Sequence, residues 1–168
     1  VPKAYLRLGS APLLVHSAAR LLAALAPTDA CEVLVLVQPE DRDTHIPDCI
    51  EPLRALLPDG GELKIVDGGA TRQESMERGL SATAADSDLV LVHDAARALV
   101  PIEPTRECLA QAASIGAALL AIPAADTLKR VADGRIVETI DRSSIWYAQT
   151  PQIARRRLFL QACDHARK

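Results

Sequence analysis

Three short segments carry residue types and spacings that could do chemistry. After an apolar run ending at Val66 come Asp67-Gly68-Gly69-Ala70-Thr71-Arg72, and then Ser75. Two glycines ahead of a helix start let a ligand approach the backbone, and amides at a helix N-terminus favour an anion or the edge of a base. An ordinary β-to-α turn would carry the same letters. After a second run ending at Val92 come His93-Asp94-Ala95-Ala96-Arg97. An acid, two small residues and a base at a strand end suit a ligand with hydroxyls and phosphate. The aspartate could hold ribose or a hydrated magnesium ion, and the arginine a phosphate. A solvated Asp/Arg pair is the plainer alternative. No nucleophile or orienting carboxylate accompanies His93 for base catalysis, so it is expected to pack beside the strand end. Lys3, between Pro2 and Ala4, is the third candidate, and by itself a lysine there reads as solvated surface.

The elements that must position these residues alternate between β-branched runs and helical patterns, the mark of a parallel sheet covered by helices. Ser10 reads as the cap of a first helix with Pro12 in its first turn and Leu14, Ala18, Leu21 and Leu25 on its apolar stripe. Residues 33–37 are continuously apolar, as a buried strand should be. Pro47, Pro52 and Pro58 break residues 40–58 into loop and short helix. A second strand spans 63–66. Thr71 with Glu74 then makes a capping box that opens a helix to about Ala82. Further strands are expected at 89–92 and 117–122, around a helix over 103–115. Residues 127–131 and 135–140 alternate about Asp133-Gly134, a two-residue hairpin signal. Such a hairpin has too little apolar surface to stand alone, so residues 126–146 are expected to form a dimerisation arm against a partner chain. Residues 155–168 read as a helix whose Arg155-Arg156-Arg157 start opposes the helix dipole.

Composition narrows the function classes. With 168 residues, 49% hydrophobic and 24% charged, the chain is globular and not disordered, and its length suits a single domain. Nineteen basic residues against 22 acidic ones give a net charge of −3, and there are only four aromatic residues besides histidine (one Trp, two Tyr, one Phe). Neither a basic face nor stacking platforms for nucleic acid can be built from that. No apolar run is long enough to cross a bilayer. The cysteines at 31, 49, 108 and 163 lack metal-ligand spacing and read as thiols of a reducing, cytoplasmic compartment.

Taken in order, six pieces resemble 2-C-methyl-D-erythritol 4-phosphate cytidylyltransferases: Pro2-Lys3-Ala4-Tyr5-Leu6, Val66-Asp67-Gly68-Gly69 with Arg72 and Ser75, Val92-His93-Asp94-Ala95-Ala96-Arg97, Asp126-Thr127-Leu128-Lys129, Asp141-Arg142 and Gln149-Thr150-Pro151-Gln152. The resemblance runs from the first residues to about Gln152. It implies a Rossmann-like nucleotidyltransferase of α/β class, with a mostly parallel sheet, helices on both faces and a projecting hairpin arm. It also implies transfer of CMP from CTP to methylerythritol 4-phosphate with release of pyrophosphate, and magnesium as cofactor. By the same resemblance Lys3 contacts the CTP phosphates, and Gly69, Ala70 and Ser75 recognise cytosine and ribose. Asp94 lies near ribose and magnesium, while Arg97, Thr127 and Arg142, on the hairpin's return strand, bind the acceptor. Family members are homodimers whose arms cross into the partner's site.

A strand and glycine-rich loop that the family carries before the Pro-Lys pair, and a lysine segment near its C-terminus, lie outside this sequence, so the domain is expected to be incomplete at both ends. Ala4 and Ala98 stand where Gln and Pro are usual. Without the first strand the sheet should expose unpaired edges. A ribitol 5-phosphate cytidylyltransferase and a non-catalytic nucleotide-binding domain are the alternatives. An NAD-dependent oxidoreductase is disfavoured because no G-x-G-x-x-G follows any strand.

Overall fold

A computed structural model describes residues 1–27 and 29–166. A single 3₁₀ turn at Lys3–Tyr5 leads into β1 (Arg7–Leu8), β2 (Ala11–Pro12), α1 (Leu13–Leu22) and β3 (Glu32–Val37). Then come α2 (Pro39–Arg42), α3 (Pro47–Arg54), β4 (Glu62–Asp67), α4 (Arg72–Ala82), β5 (Leu89–Val92) and α5 (Ile102–Ile115). The chain continues through β6 (Ala117–Pro123), β7 (Leu128–Ala132), β8 (Arg135–Ile140), a 3₁₀ turn at Arg142–Ser144, β9 (Trp146–Arg155) and α6 (Arg156–Ala166). The last two residues of the expected terminal helix lie outside the described residues.

Ser10 does not cap α1. Gly9 and Ser10 turn a two-residue-strand hairpin that pairs Arg7 with Pro12, so the helix starts at Leu13 behind an extended Pro12 with no side-chain cap.

The strands fall into two ladders. β3 pairs with β4 in parallel, Val35 opposite Ile65. β9 lies between β5 and β6 and runs antiparallel to both, so β5 and β6 share a direction. No ladder among the described residues joins β3 to β5, which leaves each of these strands paired on one edge only. The expected unpaired edges are therefore present. β9 itself was not anticipated, because a proline at 151 argues against a central strand. The registers explain how it is accommodated: β5 pairs with residues 152–155, and β6 with 146–148 and 152–154 across a bulge. Pro151, which has no N–H to donate, sits in the stretch that neither ladder uses.

Helices cover both faces. Leu14, Val15 and Ala18 of α1, Val35 and Val37 of β3 and Ile46, Cys49 and Leu53 around α3 close one core. Cys108 and Ala112 of α5 with Ile153 of β9 close a second. On the opposite face α4 lies along β3, where Gly79 leaves room for the Leu36 side chain at 3.0 Å from where a Cβ would sit. The Nε of Arg156 on α6 donates to Thr83 Oγ1 at the end of α4 (2.8 Å), joining the two helices of that layer.

The β7–β8 hairpin turns on Asp133 and Gly134, both at positive φ (50° and 74°), the backbone that a two-residue hairpin loop of matching twist requires. Val131, Ile136 and Val137 on it remain 57%, 66% and 58% exposed. No helix among the described residues is long and apolar enough to cross a membrane.

Leu53, 1% exposed at the centre of the first core, gives a direct test of that packing. Leu53→Ala is expected to destabilise the protein by about 2–5 kcal/mol, read as a lower urea midpoint with an unchanged slope. A loss below about 1 kcal/mol would mean that the core is not packed as described.

Candidate functional site

The carboxyl ends of β4 and β5 and the bulged part of β9 converge on one cluster of polar side chains. Asp94, just past β5, is its hub. Arg72, the first residue of α4, donates from Nη1 to Asp94 Oδ1 at 2.8 Å. Arg97 donates from Nε to Oδ2 at 2.9 Å and reaches Gln149 Oε1 with its Nη1. The Asp94 amide donates to the hydroxyl of the buried Thr150 (3.3 Å), and the Arg97 amide to the Asp94 carbonyl (2.8 Å), which closes the turn. Burial by itself would raise the Asp94 carboxyl. Hydrogen bonds and charge from Arg72, then from Arg97, outweigh it and hold the group below the usual carboxylate range.

His93 packs beside the strand end. Its Nε2 lies 3.1 Å from the Arg97 carbonyl, and burial outweighs that bond and the nearby Asp94 to lower its pKa, which keeps the ring neutral at pH 7. Its Nδ1 is buried near the Thr150 backbone, with no partner in full hydrogen-bond geometry among the described residues. As a neutral donor through Nε2 it braces the 94–97 turn. The Ser17 hydroxyl on α1 donates to the Ala95 carbonyl at 2.6 Å and fixes the same turn from the other side.

The turn between β4 and α4 is organised by its own helix. Thr71 caps α4 by accepting from the Glu74 amide (3.1 Å), as the capping box anticipates. Glu74 does not return to the Thr71 amide; its Oε2 takes the Ala70 N–H at 2.7 Å. The Gly69 N–H is taken by Ser75 Oγ at 2.9 Å. The amides expected to be free for a ligand are thus engaged by Ser75 and Glu74. The same packing explains why position 69 is glycine: a Cβ there would come 2.2 Å from the Glu74 Cβ. Arg78 Nη1 donates to the Gly68 carbonyl (2.7 Å) and Gln38 Nε2 to the Gly69 carbonyl (3.3 Å). Asp67 is turned away, bound by Arg42 at 2.6 Å.

The remaining candidates lie apart from this cluster. Arg142 is in the 3₁₀ turn after β8 and not on the hairpin's return strand, which ends at Ile140. The Asp141 carboxylate caps that turn at the Ser143 amide (3.0 Å), so the chain coils there instead of extending the strand. The Arg142 guanidinium bonds the Ala125 carbonyl, two residues before Thr127, so both stand at the foot of the arm. No hydrogen bond among the described residues links them to Asp94 or Arg97. Lys3 is exposed in the first 3₁₀ turn, whose Tyr5 packs against the first core and stacks on His45 at 4.7 Å.

Gly69, Ala70, Ser75, Asp94 and Arg97 are therefore brought together, with Thr127 and Arg142 forming a second group and Lys3 standing by itself. Sequence reasoning gave Glu74 only its part in the capping box and assigned no role at the site to Arg72 or Gln149. The signal for Arg72 was present: a cation in the first turn of a helix opposes the dipole and needs a carboxylate nearby. Among the described residues no group of three or more His, Cys, Asp or Glu side chains could cage a metal.

The model of the family described as IspD, 2-C-methyl-D-erythritol 4-phosphate cytidylyltransferase, matches residues 1–168. The enzyme of that name from Laribacter hongkongensis is 42% identical over 167 residues, 97% of this chain and 68% of its own length. The one from Solibacter usitatus is 35% identical over 170 residues, 99% of this chain and 66% of its own. A bifunctional enzyme IspD/IspF from Desulfotalea psychrophila is 37% identical over 163 residues, 39% of its length. The chain thus spans about two thirds of the single-function relatives and well under half of the bifunctional one. The crystal structure of 2-C-methyl-D-erythritol 4-phosphate cytidylyltransferase from Thermus thermophilus superposes with a TM-score of 0.74 at 33% identity, covering 99% of this chain and 71% of that one. With helices on both faces of its strands the chain has a Rossmann-like α/β fold, and it belongs to the 2-C-methyl-D-erythritol 4-phosphate cytidylyltransferase family.

Proposed function

We propose that the chain is the nucleotide-transfer part of an enzyme that moves CMP from CTP to 2-C-methyl-D-erythritol 4-phosphate, giving 4-diphosphocytidyl-2-C-methyl-D-erythritol and pyrophosphate. The observation that carries this reading is Asp94 held between two arginines, Arg72 and Arg97, beside the Gly68-Gly69 turn. Two cations around one carboxylate leave one positive charge over, which suits a phosphate approaching a sugar-binding acid.

In the reaction, an oxygen of the acceptor phosphate attacks the α-phosphorus of CTP, and the bond from that phosphorus to the β-bridging oxygen breaks. The leaving electron pair goes to pyrophosphate. The attacking oxygen is already anionic at neutral pH, so no general base is needed, in keeping with a neutral, braced His93. The protein's work is alignment and charge neutralisation. Arg97, Thr127 and Arg142 hold the acceptor, Lys3 meets the triphosphate, and Gly69, Ala70 and Ser75 receive cytosine and ribose. A base edge reaches the Gly69 and Ala70 amides by exchange with Ser75 and Glu74, of which the exposed Glu74 is the freer to move. One carboxylate, Asp94, suits a magnesium ion that arrives on the triphosphate and keeps most of its waters. Such an ion would offset charge on the phosphates.

Among the described residues Thr127 and Arg142 share no hydrogen bond with the Asp94 cluster, and they stand at the foot of an arm on which Val131, Ile136 and Val137 are more than half exposed. Both facts favour a homodimer in which the arm reaches the partner's site. Light scattering at micromolar concentration is expected to give a dimer mass, and Val137→Asp to shift it to the monomer. A monomeric wild-type protein would contradict the arm's role.

The full protein, given CTP and magnesium, is expected to release pyrophosphate with methylerythritol 4-phosphate and not with ribitol 5-phosphate. Release with ribitol 5-phosphate alone would move the assignment to the other polyol, and release with neither would leave a binding domain. Lys3→Ala is expected to lower turnover by about a hundredfold or more with an unchanged circular dichroism spectrum. Unaltered turnover would remove Lys3 from the reaction.

A further inference from the structure

Arg72 is unexplained by the helix that carries it. It is the first residue of α4, where a cation opposes the helix dipole, and its side chain is 70% exposed, so it contributes no packing. Its one described bond runs from α4, which follows β4 of one ladder, to Asp94 just past β5 of the other. Asp94 divides its two oxygens, Oδ1 to Arg72 and Oδ2 to Arg97, and the Arg97 guanidinium is shared again with the neutral Gln149. Were Arg72 absent, both oxygens of Asp94 could turn to Arg97. The two charges would then cancel, and a phosphate would have to compete with the carboxylate for the same guanidinium.

We propose that Arg72 is a positioning residue: by holding Asp94 through Oδ1 it keeps the charge of Arg97 available to an incoming phosphate. The identity of that phosphate as the acceptor's rests on the reading above; the division of Asp94 between two arginines does not. Arg72 therefore acts through Asp94 and needs no contact with the phosphate itself.

The test measures inorganic phosphate binding by calorimetry without magnesium, and steady-state pyrophosphate release, on the full protein. Arg72→Gln is expected to weaken phosphate binding and to raise the KM for the acceptor by about threefold to fivefold, the worth of an ion pair at a part-exposed site. The KM for CTP should change less than the KM for the acceptor. Arg72→Lys, which can still pair with Oδ1, should recover most of the loss. In an Asp94→Asn background, Arg72→Gln should cause no further weakening of phosphate binding. The same loss with and without the Asp94 carboxylate would overturn the proposal and make Arg72 a direct phosphate ligand. An equal rise in both KM values, or no change in phosphate binding, would also overturn it. The phosphate pattern without turnover on any acceptor would sink the proposed reaction and leave the role of Arg72 standing. Turnover on methylerythritol 4-phosphate without the phosphate pattern would do the reverse.

Discussion

The rest of the site hangs on one carboxylate, Asp94, whose bond to Arg72 is among the contacts that bridge two sheet pieces with no ladder between them among the described residues. β3–β4 and β5–β9–β6 are each coherent, yet among the described residues no backbone pairing connects them. Polar crossings do so instead. Arg72 on α4 reaches Asp94 past β5, Ser17 on α1 reaches the Ala95 carbonyl, and Arg20 donates to the Val100 carbonyl at 2.8 Å. At the other end of the strands the Glu32 carboxylate accepts from the Ala84 amide at 2.7 Å. Each bond is individually modest. Together they place the 93–97 turn against the 68–75 turn, which is the geometry a nucleotide lying across strand ends requires.

The site's donors find their partners within the chain. Gly69 and Ala70 give their amides to Ser75 and Glu74, Arg97 gives its guanidinium to Asp94 and Gln149, and Arg142 gives its own to the Ala125 carbonyl. Of these donors the Gly69 amide is buried and would be costly to leave alone, whereas those of Ala70, Arg97 and Arg142 lie on exposed residues and take partners within the chain all the same. Binding is then an exchange of partners, and a ligand gains only the difference between its own contacts and those it replaces. The exposed side chains of Glu74, Arg72 and Arg97 can make that exchange without disturbing the cores.

What the sequence disclosed was mostly what short-range chemistry decides. The apolar run 33–37, the Thr71 cap and the Asp133-Gly134 turn depend on neighbours within a few residues, and all are present. The failures share a different origin. β9 was hidden because Pro151 looks disqualifying until two registers, set by distant β5 and β6, leave that residue unpaired. Ser10 lost its cap to a hairpin closed by Arg7 and Pro12. The helix N-terminus read as open because nothing local shows that Glu74 turns back to Ala70 in place of Thr71. Arg142 leaves the expected return strand because the Asp141 carboxylate caps the Ser143 amide and coils the chain there. Of the site, the Gly69–Ser75 and Asp94–Arg97 segments were legible as motifs. Their mutual contact, made by Arg72, was not, since it joins the ends of two ladders that no backbone pairing connects among the described residues.

A crystal structure of the full protein with CTP bound would test this account most directly. The expected result has the cytosine edge on the Gly69–Ser75 turn in place of Glu74, the ribose beside Asp94, and Arg72 still holding Asp94 Oδ1. A nucleotide seated elsewhere, with the 68–75 and 93–97 turns unchanged and their internal bonds intact, would contradict it.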